Sequence, residues 1–187
     1  MKNISTINLV LGLILVGILS RLIPHAPNFT AVGATALFAG ATIRPSWLAY
    51  LLPLTVLWIS DLYLNNGMYK NMFPEYYTGW RWMGDLWVYL SFIGIVLLGK
   101  VFIQKIKIKN VVLGSLAASL SFFMITNFGV WLGNPAWPQN VGGLGACYAF
   151  ALPFFGNTLA ADLLFSSVLF GIYLVSKKAF KPHPAIQ

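Results

Sequence analysis

Apolar residues in this chain come in long runs, without the alternation of a half-buried strand or the narrow stripe of a surface helix. A helix crossing about 30 Å of hydrocarbon needs about 20 such residues, each rising about 1.5 Å. Runs of this kind occupy residues 7–23, 46–64, 85–103, 111–132 and 153–175. Between the first two lies "NFTAVGATALFAGATI", residues 28–43, which would reach only about 24 Å as a helix. Its Ala, Gly and Thr residues suit a short helix buried among others, because small side chains let backbones approach closely. Ala36 and Gly40 give it one such face. The pattern predicts an all-α membrane protein, a bundle of six transmembrane helices with a short buried second helix, forming one domain over residues 1–187.

The placement of charge orients this bundle. With six spans, Lys2, Arg44, Lys100, Lys105, Lys107, Lys109, Lys177, Lys178 and Lys181 fall on one side, and only Arg21, Lys70 and Arg81 on the other. Cytoplasmic loops carry the excess of Lys and Arg, so both termini are expected to be cytoplasmic, in a bacterial inner membrane. Five spans would spoil the asymmetry. Composition agrees, with 58% hydrophobic and 9% charged residues, where a soluble domain carries about a quarter charged. The net charge of +8 is therefore a topology signal, and no nucleic-acid partner is expected. Lys2 and the apolar stretch after it resemble a signal peptide, but no small-x-small cleavage site follows. The stretch is expected to remain as the first helix.

Chemistry concentrates on the outward side. "RLIPHAPNFTAVG" joins the first two helices there, with Pro24 and Pro27 ending the first and Asn28 or Thr30 able to cap the second. Arg21, His25, Asp61 and Asp85 lie at outer helix ends, Glu75 and Arg81 in the second outer loop. Asp162 falls roughly 13 Å below the expected outer end of the last helix. Charges at such depth normally face a bundle interior or a cavity. Pairing of Arg21 with Asp61 or with Asp162 would lock helices together, whereas the one-sided clustering suggests an outward-facing polar pocket. Trp80, Trp82, Trp131, Trp137 and Tyr148 crowd the same side, as an interfacial belt or as stacking walls for a flat ligand. Asn127 and Asn134 could bridge helices or bond a ligand. "NVGGLGAC" has no phosphate-loop spacing and reads as a flexible outer lid. No catalytic motif occurs, and Cys147, the one cysteine, excludes an internal disulfide. Neither an enzyme nor a bound metal or cofactor is expected.

Three segments carry a resemblance: "PHAPNFTAVGATALFAGA", "FFMITNFGVWL" and "CYAFALPFFGNTLAADLLFSSVLFG". They resemble an uncharacterised bacterial family of candidate membrane transport proteins, over nearly the whole chain. That family is more remotely similar to the substrate-binding S components of energy-coupling factor vitamin transporters. The resemblance implies six helices with cytoplasmic termini and a vitamin pocket near the outer surface. It also implies energy from a separate transmembrane T subunit with paired ATPases. S components dock that subunit through an Ala-x3-Ala face on the first helix. Here the first helix offers Gly12 and Gly17, and the nearest small-residue face is Ala36 with Gly40 on the second.

The resulting expectation is a protein that takes a small vitamin-like or heterocyclic nutrient from the outer face for uptake. Arg21, His25, Asn28, Asp61, Asp85, Asp162, Asn127 and Asn134 would meet its polar groups, and the five aromatics would stack on it. The alternative is an accessory subunit whose outer aromatic loops contact another membrane protein.

Overall fold

The computed structural model describes residues 6–179, with side chains through residue 176. Lys2, Lys181 and His183 lie outside these residues, as do the side chains of Lys177 and Lys178, so part of the charge asymmetry falls there. The helices are α1 (Thr6–Leu22), α2 (Val32–Thr42), α3 (Ser46–Tyr63), α4 (Leu86–Phe102), α5 (Ile108–Gly133) and α6 (Val141–Ala179). No strand occurs among the described residues. A π-turn, Leu64–Met68, and a last turn, Tyr69–Met72, prolong α3.

Three stretches are each long and apolar enough to cross a membrane: Ser46–Met72, Ile108–Gly133 and Val141–Ser176. Six helices are present among the described residues, but three rather than six meet that length on their own. The reason is rise per residue. Within the described residues, Thr6–Leu22 and Leu86–Phe102 have 17 residues each, about 26 Å of helix against about 30 Å of hydrocarbon, and Val32–Thr42 has 11.

Two predicted boundaries move, each for a local reason. α6 begins at Val141 and not at 153, so Gly142, Gly143 and Gly145 belong to its first turns and form no flexible lid. The Asn140 side chain accepts from the Gly143 amide at 2.9 Å and its carbonyl from the Leu144 amide at 2.9 Å, which caps this start. Pro153 then lies inside the helix, where it had read as a helix start. The second shift concerns α2, which begins at Val32 because Asn28 is left-handed at φ 63°, a conformation Asn tolerates. No side chain caps α2. The Ala31 amide instead donates to Ser20 Oγ on α1 at 3.0 Å, so neither Asn28 nor Thr30 serves as the cap.

α2 is the centre of the bundle. Nine of its 11 residues are buried, and it touches all five other helices. Its tightest partner is α4. A Cβ at Gly40 would collide with the Val96 carbonyl, and one at Gly99 with the Leu37 carbonyl. Glycine on both helices therefore allows backbone-to-backbone approach. Ala36 and Gly40 are consumed inside the protein in this way and present no free docking face. α1 packs parallel to α3, with Gly17 against Val56. α4, α5 and α6 run antiparallel in turn, with Trp87 edge-on to Phe128 and Phe92 against Phe122. Outward surfaces of α1, α4 and α6 carry large exposed apolar residues such as Leu11, Leu97 and Ile172.

The close contact sets a test. Gly40→Leu must push α2 off α4 and should cost roughly 1–3 kcal/mol or more, read as a lowered thermal midpoint in detergent. Gly12→Ala, where nothing lies within 4 Å of the new Cβ, should leave the midpoint unchanged or slightly raised.

Candidate functional site

The connection from α1 to α2 is built by its own hydrogen bonds. Phe29 N donates to Ala26 O at 3.0 Å, and Thr30 N to Asn28 O at 3.1 Å. From α6, Asn157 Nδ2 donates to Pro27 O at 3.0 Å. His25 Nδ1 lies 2.7 Å from the Ala26 carbonyl, and it is the donor there because a carbonyl only accepts. This fixed turn stands at the rim of a cavity of about 530 Å³. The start of α2, with Val32 and Gly33, forms its floor beside Asp162 of α6. Leu57, Leu64, Val88, Phe92, Ile95 and Phe122 supply apolar wall from α3, α4 and α5. Arg21, His25 and Asn28 bring polar groups to the rim.

Two acids lie near this space and their surroundings differ. Asp61 is 5% exposed and pairs with Arg21, Nη2 to Oδ1 at 2.7 Å. Its Oδ2 accepts from the Gly84 amide at 3.0 Å and from Tyr89 Oη at 2.8 Å. A side chain at Gly84 would overlap that carboxylate, so glycine there gives the amide its approach. Arg21 also donates to Ser60 Oγ at 2.5 Å. α1, α3, α4 and the loop before α4 are thus tied at one point, and of the two pairings open to Arg21 the structure has the one with Asp61.

Asp162 is 3% exposed. Ser119 Oγ donates to its Oδ2 at 2.7 Å, while Oδ1 lies against Gly33, where a Cβ would collide with it. Arg21–Asp61 is the one ion pair among the described residues, so no cationic side chain there compensates Asp162. It sits 21 residues into α6, about 31 Å from the helix start and not about 13 Å, because α6 starts earlier.

Of the residues singled out in the sequence, Arg21, His25, Asn28 and Asp162 line the cavity, and Asp61 stands behind Arg21. The others lie elsewhere. Asp85 caps α4, accepting from Trp87 N at 2.7 Å. Trp80 and Trp82 meet edge-on at 5.8 Å and are 61% and 69% exposed. Trp131 Nε1 donates to Pro138 O, and Tyr148 Oη to Met124 O. Trp137 faces Phe150. Asn127 donates to Phe123 O, and Asn134 Oδ1 accepts from Ala136 N. Cys147 is buried, its Sγ 3.6 Å from Asn127 O.

Tyr89, Ser60, Ser119, Gly33 and the aromatic wall of Phe92 and Phe122 were not singled out from the sequence. For the serines a signal existed, since hydroxyls inside apolar helices commonly bond between helices. Phe92 and Phe122 carried none that sets them apart from other apolar helix residues.

The chain belongs to the DUF6580 family, a family of unknown function whose model matches residues 1–185. No curated protein and no solved structure matches it.

Breaking one side of the buried pair should be expensive. Arg21→Met or Asp61→Asn should each cost roughly 3–5 kcal/mol, read from denaturation in detergent. The Arg21→Met/Asp61→Leu double variant should cost clearly less than the sum, because neither charge is then left alone. Strict additivity would show that the pair is not coupled.

Proposed function

We propose that this chain is a six-helix inner-membrane protein that binds a small vitamin-like or heterocyclic nutrient in the cavity between α1, α2, α3, α4, α5 and α6, as a step in uptake. The observation that carries the reading is the cavity itself. It is of ligand size, walled by aliphatic and aromatic side chains, and furnished with the polar groups of Arg21, His25, Asn28, Thr30 and Asp162. A planar heterocycle would lie between Phe92, Phe122 and Val88. Its hydrogen-bond donors would meet Asp162, and its acceptors Arg21, His25 and Asn28. Arg21 is held in place by Asp61, so the ligand would not have to order it.

All six helices cross the membrane in this reading. The shorter three do so inside a bundle and not as lone spans, with the cavity face outward and Arg44, Lys100 and Lys105 cytoplasmic. Energy would come from a partner, by the resemblance to S components a T subunit with ATPases. Such a partner would need a docking face other than Ala36 and Gly40, which α4 covers.

A second reading keeps one specific observation. Tyr76, Trp80, Trp82 and Phe150 are each more than 60% exposed and none lines the cavity. An accessory subunit would use them against another protein.

Native mass spectrometry after gentle purification separates the two. A retained small molecule, lost in Val88→Trp, which fills the cavity, supports nutrient binding. In the same reading Asp162→Ala weakens uptake without preventing insertion. A stoichiometric protein partner with no small molecule, in wild type and variant alike, would replace nutrient binding by the accessory role.

A further inference from the structure

Hydroxyls inside this bundle follow a rule with three exceptions. Of the seven buried serines and threonines among the described residues, four bond back to a carbonyl of their own helix. These are Thr35 to Val32, Ser60 to Val56, Ser91 to Val88 and Thr158 to Phe154. The exceptions are Ser115 and Ser119 on α5 and Ser166 on α6. Ser119 donates to Asp162, whereas the Ser115 and Ser166 oxygens have no hydrogen-bond partner. Both residues are buried, at 0% and 1% exposure.

The three are neighbours by helix geometry. α5 and α6 run antiparallel, with Met124 O against Tyr148, Phe123 against Phe155 and Ser119 against Asp162. One turn further from the cavity rim, Ser119 gives way to Ser115 and Asp162 to Ser166. This register places the two unpartnered hydroxyls at one level, a turn beneath the carboxylate. Apolar α2 closes the column, with Gly33 against Asp162, Leu37 near Gly114, and Phe38 on Phe170.

A buried hydroxyl without a partner is costly, and a buried carboxylate without counter-charge far more so. Helix-to-helix bonding does not account for the arrangement, since Ser115 and Ser166 bond to nothing. A water molecule would satisfy the hydroxyls and leave the charge. One positive ion with oxygen ligands answers both. A single carboxylate matches a single charge, whereas divalent sites usually gather more carboxylate or substrate phosphate. We propose that Asp162, Ser115, Ser119 and Ser166 form a Na+ site at the α5–α6 interface, directly under the cavity.

The test uses the full-length protein in detergent. Thermal midpoints are measured in NaCl, KCl and N-methylglucamine chloride at equal ionic strength, because a ligand that binds only the folded state raises the midpoint as it saturates. Na+ should raise the midpoint more than the other two cations. Ser115→Ala/Ser166→Ala should weaken the apparent Na+ affinity by roughly tenfold or more, and Asp162→Asn should abolish the response. Removing unpartnered hydroxyls is close to neutral for folding, so the serine variant stays measurable even where Asp162→Asn does not fold. Equal midpoints in the three salts would overturn the site, as would an unchanged Na+ response in the serine variant. Val88→Trp should keep the full Na+ response, so failure of nutrient binding and failure of the ion site are read separately.

Discussion

The close approach of α2 to α4 is the constraint on which the rest depends. Gly40 against the Val96 carbonyl and Gly99 against the Leu37 carbonyl seat α2 beside the later turns of α4. α2 has only 11 residues, so it stops short of the level at which α4 begins. The space left above its first turn is the cavity, walled by Val88 and Phe92 of the uncovered part of α4. A longer α2 would fill that space, and a side chain at Gly33 would collide with Asp162. Shortness and small residues act together here. One brings the helix into the centre, and the other leaves room above it.

The two buried acids show what the same residue type does in two environments. Asp61 has a guanidinium, an amide and a phenol around its two oxygens, and its desolvation is offset within the protein. It joins three helices and a loop, and it holds Arg21 at the cavity edge. Asp162 has one hydroxyl and the backbone of Gly33. A carboxylate so placed is stable only if something else comes to it: a proton, an ion or the polar end of a ligand. The first acid is answered by a charge among the described residues and the second is not.

Much of the fold was legible in the sequence because long apolar runs tolerate no other reading. α3, α4 and α5 begin within three residues of the runs that predicted them. The start of α6 was not legible. Three glycines and a proline look like a break, and only the Asn140 cap, together with the partners α5 supplies, keeps them helical. Helix rotation was hidden for a more general reason. In a soluble protein the apolar face points inward, but a helix in lipid is apolar on both faces, so hydropathy carries little phase. Whether Arg21 met Asp61 or Asp162, and whether Trp80 faced a cavity or the outside, could not be read from such a pattern. Proximity at one end of the bundle was readable, and facing was not.

Depth is the remaining link between site and function. α6 has 39 residues, about 58 Å of helix, nearly twice the hydrocarbon thickness, and Asp162 stands near its middle. Counted from either end, the carboxylate is more than about 25 Å of helix away. The rim turn stands beside this middle stretch, since Asn157, five residues or about 8 Å of helix before Asp162, donates to Pro27 O. Trp80, Trp82 and Trp137 are absent from the cavity wall. The wall is made instead of residues that looked like plain core, Phe92, Phe122 and Ile95. Trp80 and Trp82 stay exposed because the cavity is walled by core residues and not by their loop.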